Sequence, residues 1–284
     1  MLNPYLTMGI SSFFYSLQYL DVKTTSPFFD IWLIIFIRGI TSFLICLFLL
    51  MIISPCNIFG NQKKLLFIRG IYGTLTIVFS FLSIKYLNLS IATVLSSTGP
   101  IFTGIFTCFS KGIWTWKDSI SVLLCFIGII MICIQGFFEK SRNFWIGIFC
   151  GLLSSIFSAL VNVTISSIKE ENAFTITMYS MGLCSLQSLP LMIINFDFDH
   201  IFSQDKFRII QLFCTGISSL IAQYLKTLSI QNSENLGVIV LRYLDTIFCI
   251  FWDIFILHSF IHWNNYLGIG FILLGCGINI FSSN

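Results

Sequence analysis

The chain has 284 residues, a mean hydropathy of +0.92 and only 10% charged residues. Soluble domains carry about 25% charged residues, so almost all of this sequence faces lipid or other membrane helices. The formal net charge of +3 is thinly spread, which excludes the basic footprint of a nucleic-acid-binding protein.

The first apolar run, 4–20, has no basic segment before it and no clear cleavage site, and is read as a retained first span. Further runs follow at 31–53, 66–87, 90–110, 118–136, 144–166, 174–195, 209–229, 236–257 and 264–281. About 17–23 residues suffice to cross a bilayer as a helix. The connectors are short and polar: SPCNIFGNQKK, FFEKSRN, IKEENAF and FDFDHIFSQDKFR. They leave no room for a soluble domain. Strands spanning a membrane would alternate in period two, and these runs do not. The expected fold is an all-α integral membrane protein of ten transmembrane helices.

Several residues break the apolar pattern. Arg38 lies about eight residues into the second span, roughly 11 Å deep at 1.5 Å per residue. It reads either as a snorkelling anchor or as a substrate contact. Thr98-Gly99-Pro100 sits at the centre of the fourth span. Proline removes an amide donor and frees a carbonyl in the turn before it, and the small residues beside it allow close approach. A packing kink and a cavity lining are both compatible with this stretch.

The same level of the ninth span holds Arg242, Tyr243 and Asp245 in LRYLDT. A charge at the bilayer centre costs at least ~2.5–3.5 kcal/mol on insertion scales, so these residues need partners. Arg242 and Asp245 are three apart and share a helix face. They form either a structural ion pair or an anion-recognising Arg with its counter-ion or proton site. Tyr243 is expected in the same cavity. Lys85 and Lys226, near the ends of their spans, are expected to snorkel. Tyr15, Gln18, Asn162, Gln187 and Gln223 are expected to make interhelical hydrogen bonds more than ligand contacts.

The cysteines inside apolar runs read as packing. His258 and His262 share a helix face but lack the Glu of a zinc-protease motif, so no metal site is expected.

A repeat is legible. Trp116 and Trp263, and Gly128 and Gly275, are each 147 apart; Gly70 and Gly216, and Pro100 and Thr246, are 146 apart. This predicts two five-helix halves, 1–138 and 139–284. An odd number of spans per half inverts them in the membrane, as in secondary transporters with a site between repeats. With the N-terminus in the cytosol, seven loop cations fall on that side and six on the other. The first half alone divides five to two, which favours a cytosolic N-terminus.

Arg38-Gly39, the Arg69-Gly70-Ile71-Tyr72-Gly73 opening of the third span, FLSIKYLNLSIATVLSSTGPIFTGIF, WTWKDSISVLLCFIGIIMI and RYLDTIFCIFWDIFI with Trp252-Asp253 carry a resemblance. The chain resembles EamA-domain proteins of the drug/metabolite transporter superfamily. It is also similar to the G-type branch of the solute carrier family that includes nucleotide-sugar carriers. The resemblance covers essentially the whole chain. It departs after the fourth span, where Ser110-Lys111-Gly112 stands in place of the family's Gly-Glu. It implies a ten-helix metabolite carrier or exchanger with no bound cofactor.

The function expected is therefore transport of small organic solutes by alternating access, not enzymatic catalysis. Arg38, Thr98, Gly99, Pro100, Arg242, Tyr243 and Asp245 are the expected lining of a substrate cavity between the repeats. The expected partners are a small-molecule substrate and the lipid bilayer, with no nucleic acid; a homodimer is compatible with the pattern. A non-transporting receptor or scaffold is the competing class. Plasma and internal membranes both stay open as the location.

Overall fold

A computed structural model describes residues 3–53, 60–99, 101–103, 106, 120, 123–124, 126–128, 130–131, 142–168, 171–194, 206–232, 238, 241–259 and 263–282. Among them all regular structure is helical. In chain order the helices are α1 (Pro4–Thr25), α2 (Ile31–Ile53), α3 (Lys63–Tyr86), α4 (Leu89–Ser96), α5 (Arg142–Ser167), α6 (Ala173–Ile194), α7 (Lys206–Gln231), a 3-10 turn (Leu241–Tyr243), α8 (Leu244–Phe255) and α9 (Trp263–Ser282).

The helix ends follow from local chemistry. Asn3 caps α1: its side-chain oxygen accepts the Tyr5 amide at 3.0 Å, and Pro4 takes the first helical position, where no amide is needed. Glu171, in the α5–α6 connection, accepts the Asn61 and Gln62 amides at 2.6 and 2.8 Å and so fixes the entry to α3. Lys23 donates to the carbonyls of Ile84 and Leu87 at the other end of α3, where a cation is favoured by the helix dipole. Asp253 of α8 accepts the Leu89 and Ser90 amides at 3.3 and 2.7 Å, capping α4 from a different helix.

Among the described residues, five helices are long and apolar enough to cross a membrane by length and composition: Ile31–Ile52, Lys63–Tyr86, Arg142–Ile165, Ala173–Ile194 and Lys206–Gln231. Three others depart from that pattern for identifiable reasons. α1 has the length but carries buried Ser11, Ser12, Ser16 and Gln18. The fourth helix breaks at Ser97-Thr98, and α8 starts only after the 3-10 turn. Most of the expected fifth span, 118–136, lies outside the described residues.

Burial runs opposite to a soluble protein. Leu44, Phe48, Met51 and Ile52 of α2, Leu186, Ile193 and Ile194 of α6, and Phe207, Ile210 and Phe213 of α7 are exposed. Serines, threonines and several charges are buried. An apolar exterior around a partly polar interior is what a bilayer requires.

The principal neighbours are α3 with α5, α1 with α7, and α2 with α6; then α3 with α6, α7 with α2, α4 with α5, α1 with α8, and α4 with α8. Glycines permit the closest crossings. A Cβ at Gly39 would lie 2.9 Å from the Ser185 amide nitrogen, so α2 and α6 meet backbone to backbone there. Gly216 of α7 packs instead on the side chain of Thr41 of α2, and Ser42 donates to the Gly216 carbonyl at 2.7 Å. Gly128 packs on α9 at Gly268.

Candidate functional site

A cavity of about 30 Å³ lies between α1, α2, α3, α5, α7 and the 3-10 turn. On this measure a water needs roughly 10–15 Å³, so in this conformation the cavity holds a few waters rather than a metabolite. Helical periodicity brings its walls together. Tyr15, Gln18 and Tyr19 face it from α1; Gly73, Thr76, Ile77 and Ser80 from α3; Ser158 and Val161 from α5; Gln223 and Lys226 from α7. Each set is spaced at three and four residues. Arg38, Phe81 and Arg242 complete the lining.

Arg242 is the best-anchored charge. It sits in the 3-10 turn, where the ninth span is not α-helical. Its Nη1 donates to Ser158 Oγ at 2.8 Å, and its guanidinium carbon lies 5.4 Å from the centre of the Tyr15 ring. Its Nε is 3.8 Å from Asp245 Oδ2. The Asp245 carboxylate also accepts the hydroxyls of Ser97 and Thr246, each at 3.3 Å. Tyr15 donates to Gln223 Oε1 at 2.9 Å, and Gln223 Nε2 donates to Ser180 at 3.3 Å. Gln223 thus makes the expected interhelical bonds and faces the cavity as well.

Arg38 is wholly buried, with Nη1 4.0 Å from Cys184 Sγ and its guanidinium 5.6 Å from the Phe81 ring centre. That overturns the snorkelling alternative: helices enclose the side chain. Lys226 is corrected likewise. It is 5% exposed and lines the cavity, because α7 continues to Gln231 under cover of α1. Lys85 does remain exposed.

Arg69 was not anticipated, having been counted among the loop charges. It is fully buried one turn before Gly73, and none of its three guanidinium nitrogens has a hydrogen-bond partner among the described residues. A Cβ at Gly73 would lie 3.8 Å from Arg69 Nη1, which places the guanidinium beside the cavity wall. With Arg69 and Lys226 inside the bundle, the loop cations divide five to six instead of seven to six. Loop charge then favours neither orientation. The five-to-two division of the first half also loses one cation, Arg69.

Thr98 and Gly99 lie next to the site without lining the cavity. The Thr98 hydroxyl donates to the Leu95 carbonyl at 2.8 Å, and a Cβ at Gly99 would sit 3.3 Å from both the Ser155 carbonyl and Ser158 Oγ. Their part is to let the broken fourth helix press on α5, and Ser97 beside them reaches Asp245. Pro100 lies outside the described residues. Tyr243 belongs to the 3-10 turn, and its side chain also lies outside them. Among the described residues no group of three His, Cys, Asp or Glu side chains is placed to hold a metal. His258 is exposed, with φ 47°, and His262 is not among them.

Chemically the site is a buried cation cluster. Among the described residues it presents guanidinium and ammonium donors, tyrosine hydroxyls and amides, and a single carboxylate. Such a set suits binding of anionic or polar oxygens.

Comparison with known proteins agrees with a transporter. The model of the EamA-like transporter family matches residues 3–134 and 145–281. An uncharacterized transporter of Helicobacter pylori (strain ATCC 700392 / 26695) is 26% identical over 280 residues, covering 94% of this chain and 89% of the relative. Pseudopaline exporter CntI of Pseudomonas aeruginosa (strain UCBPP-PA14) is 24% identical, covering 86% and 84%. Human solute carrier family 35 member G1 is 21% identical, covering 77% and 64%. A solved crystal structure shares the fold with a TM-score of 0.73 at 11% identity, covering 99% of this chain and 97% of the other.

Proposed function

The chain belongs to the EamA-like transporter family and is a multi-pass integral membrane transporter, and from that premise we propose that it moves small organic metabolites by alternating access. In this reading ten spans form two inverted repeats, 1–138 and 139–284, that rock about a cavity near the membrane midplane. The substrate meets Arg38, Arg242 and Asp245, with Lys226 and Arg69 beside them. Thr98 and Gly99 belong to the break in the fourth span, Pro100 follows them in the sequence as a further candidate contact, and Tyr243 belongs to the 3-10 turn before α8.

The observation that carries the reading is the cavity itself: cationic side chains buried in the middle of an apolar bundle, at the meeting point of helices from both halves. The helix neighbours support the repeat. Exchanging α1–α4 for α5–α8 turns α3 with α5 into α7 with α1, α3 with α6 into α7 with α2, and α4 with α5 into α8 with α1. It leaves α2 with α6 and α4 with α8 unchanged. At the α2–α6 crossing, Arg38 faces Cys184 and Gly39 faces Ser185, both pairs 146 apart. A residue opposite its own repeat mate is what a two-fold axis through that crossing requires.

The test is flux. Purified protein in liposomes should take up one or more members of a labelled panel of organic acids, sugar phosphates, nucleotides and amino acids faster than protein-free vesicles. Arg242→Ala should abolish uptake in protein that remains monodisperse. Folded wild-type protein with no flux across the whole panel would remove the transport reading and favour a receptor or scaffold.

A further inference from the structure

We infer that the cavity is built for a small solute carrying two anionic groups, carboxylate or phosphate, with Arg69 as the anchor for the second. This rests on the transport reading above and narrows its substrate class.

The first argument is charge balance. Arg38, Arg69, Lys226 and Arg242 are buried in or beside one cavity, and among the described residues the carboxylate that pairs with any of them is Asp245, through Arg242. Their formal sum is +3. Guanidinium groups keep their protons inside proteins. Even a neutral Lys226 therefore leaves three arginines against one carboxylate, a sum of +2. Among the described residues the neighbouring acids are engaged elsewhere. Asp253 holds the amides of α4, Glu171 holds those before α3, and Asp21 accepts from Gln211 at 3.2 Å. Buried charges are ordinarily paired. A pair accounts for Arg242 and Asp245 and leaves the other cations uncompensated. A single carboxylate ligand leaves the cavity positive; a ligand with two anionic groups brings it near neutrality.

The second argument is geometry. Arg242 has a hydrogen bond to Ser158 and an ion-pair partner in Asp245, and Arg38 has a long contact to a thiol. Arg69 has three guanidinium nitrogens, no partner for any of them among the described residues, and no exposed surface. A planar fork with every donor idle matches a carboxylate or phosphate, which takes two parallel bonds from it. Arg69 is on α3, whereas Arg242 lies in the second half of the chain. A solute with two anionic ends reaches both. Gln18 Oε1, also buried and unbonded, supplies an acceptor for a hydroxyl on the solute between them.

Thermal unfolding of the wild-type protein in detergent, titrated with succinate, 3-phosphoglycerate, acetate, glucose and putrescine, tests this directly. Succinate or 3-phosphoglycerate should bind at least about tenfold more tightly than acetate, one extra charge-assisted contact being worth that much or more. Which of the two is tighter separates the carboxylate source from the phosphate source. Arg69→Gln should erase the ratio by weakening the two-anion solute far more than acetate, and Arg69→Lys should keep part of it. If Arg69→Gln does not fold, Lys226→Gln serves as the second variant and should reduce the same ratio. Acetate, glucose or putrescine binding as tightly as the dianions would overturn the inference. So would an unchanged ratio in Arg69→Gln, or no binding of either dianion. Liposome flux keeps the two claims apart. Uptake of a neutral or cationic solute alone would sink the dianion inference and spare the transport reading. Dianion binding with no flux of any solute would do the reverse.

Discussion

An isolated ion pair predicts that losing either partner is equally harmful; the cation cluster predicts a large asymmetry. At 3.8 Å, the separation of Arg242 Nε and Asp245 Oδ2, the direct attraction is about 4 kcal/mol for an effective dielectric constant of ~20. Both Arg242→Gln and Asp245→Asn forfeit it. The rest of the cluster then separates them. Arg38, Arg69 and Lys226 repel Arg242 and attract Asp245. For separations on the order of 10 Å, each such term is roughly 1–2 kcal/mol before cavity water screens it. Arg242→Gln takes the formal sum from +3 to +2, and the relief offsets much of the lost pair. Asp245→Asn takes it to +4 and adds to the loss. The expected gap between the two variants is about 3 kcal/mol or more, with the double variant between them. Unfolding midpoints of the three proteins in one detergent, with chemical denaturation for the free energies, read this out. Equal losses, or a milder Asp245→Asn, would refute the cluster argument and return the two residues to a simple structural pair.

Three further outcomes follow from the packing. Asp253→Ala leaves the Leu89 and Ser90 amides buried without an acceptor. At about 1–3 kcal/mol per unsatisfied group, it should lower the unfolding midpoint more than Asp253→Ser, which keeps an acceptor for one of them. Gly216→Val forces a side chain into Thr41 at the α7–α2 crossing. Overpacking of about 1–3 kcal/mol or more should appear as reduced monodisperse yield and a lower midpoint. Lys85→Ala, at an exposed position, should change stability by less than about 0.5 kcal/mol and leave flux intact, whereas Lys226→Ala should reduce flux.

Hydropathy located nearly every helix because it measures the property a bilayer selects. The expected span 31–53 coincides with α2, and 66–87, 144–166, 174–195 and 209–229 each lie within three residues of a helix. It also marked Arg38, Arg242 and Asp245, since charges deep in apolar runs stand out in one dimension. It failed for Arg69 and Lys226 because both are close to the ends of their runs, and distance along a helix says nothing about which face a residue occupies. The missing signal was spacing. Arg69, Gly73, Thr76, Ile77 and Ser80 repeat at three and four along α3, as Gln223 and Lys226 do on α7. Reading polar and small residues as a stripe shows an interior wall where hydropathy alone shows a span terminus. The fourth span was flagged for its Pro100, yet the residue beside it that touches the site is Ser97, through Asp245. A hydroxyl gains that role only once α8 lies alongside, and no local pattern announces it.

The weak hydropathy of α1, the breaks after α4 and before α8, and the buried cations have one physical origin. A bundle optimised only for stability in lipid would fill its centre with apolar side chains, because polar interhelical contacts in membranes average only about 0.6 kcal/mol. Here the centre instead holds serines, tyrosines, amides and four cations. To admit them, α1 gives up the apolar content of a free-standing span. α4 yields at Ser97-Thr98, where Ser97 reaches Asp245, and the chain entering α8 yields at Leu241–Tyr243, where Arg242 reaches Ser158. Packing accounts for the Arg242–Asp245 pair but supplies no partner for Arg69 among the described residues. What the fold leaves unmatched in its own interior is therefore the most direct description of what it is shaped to receive.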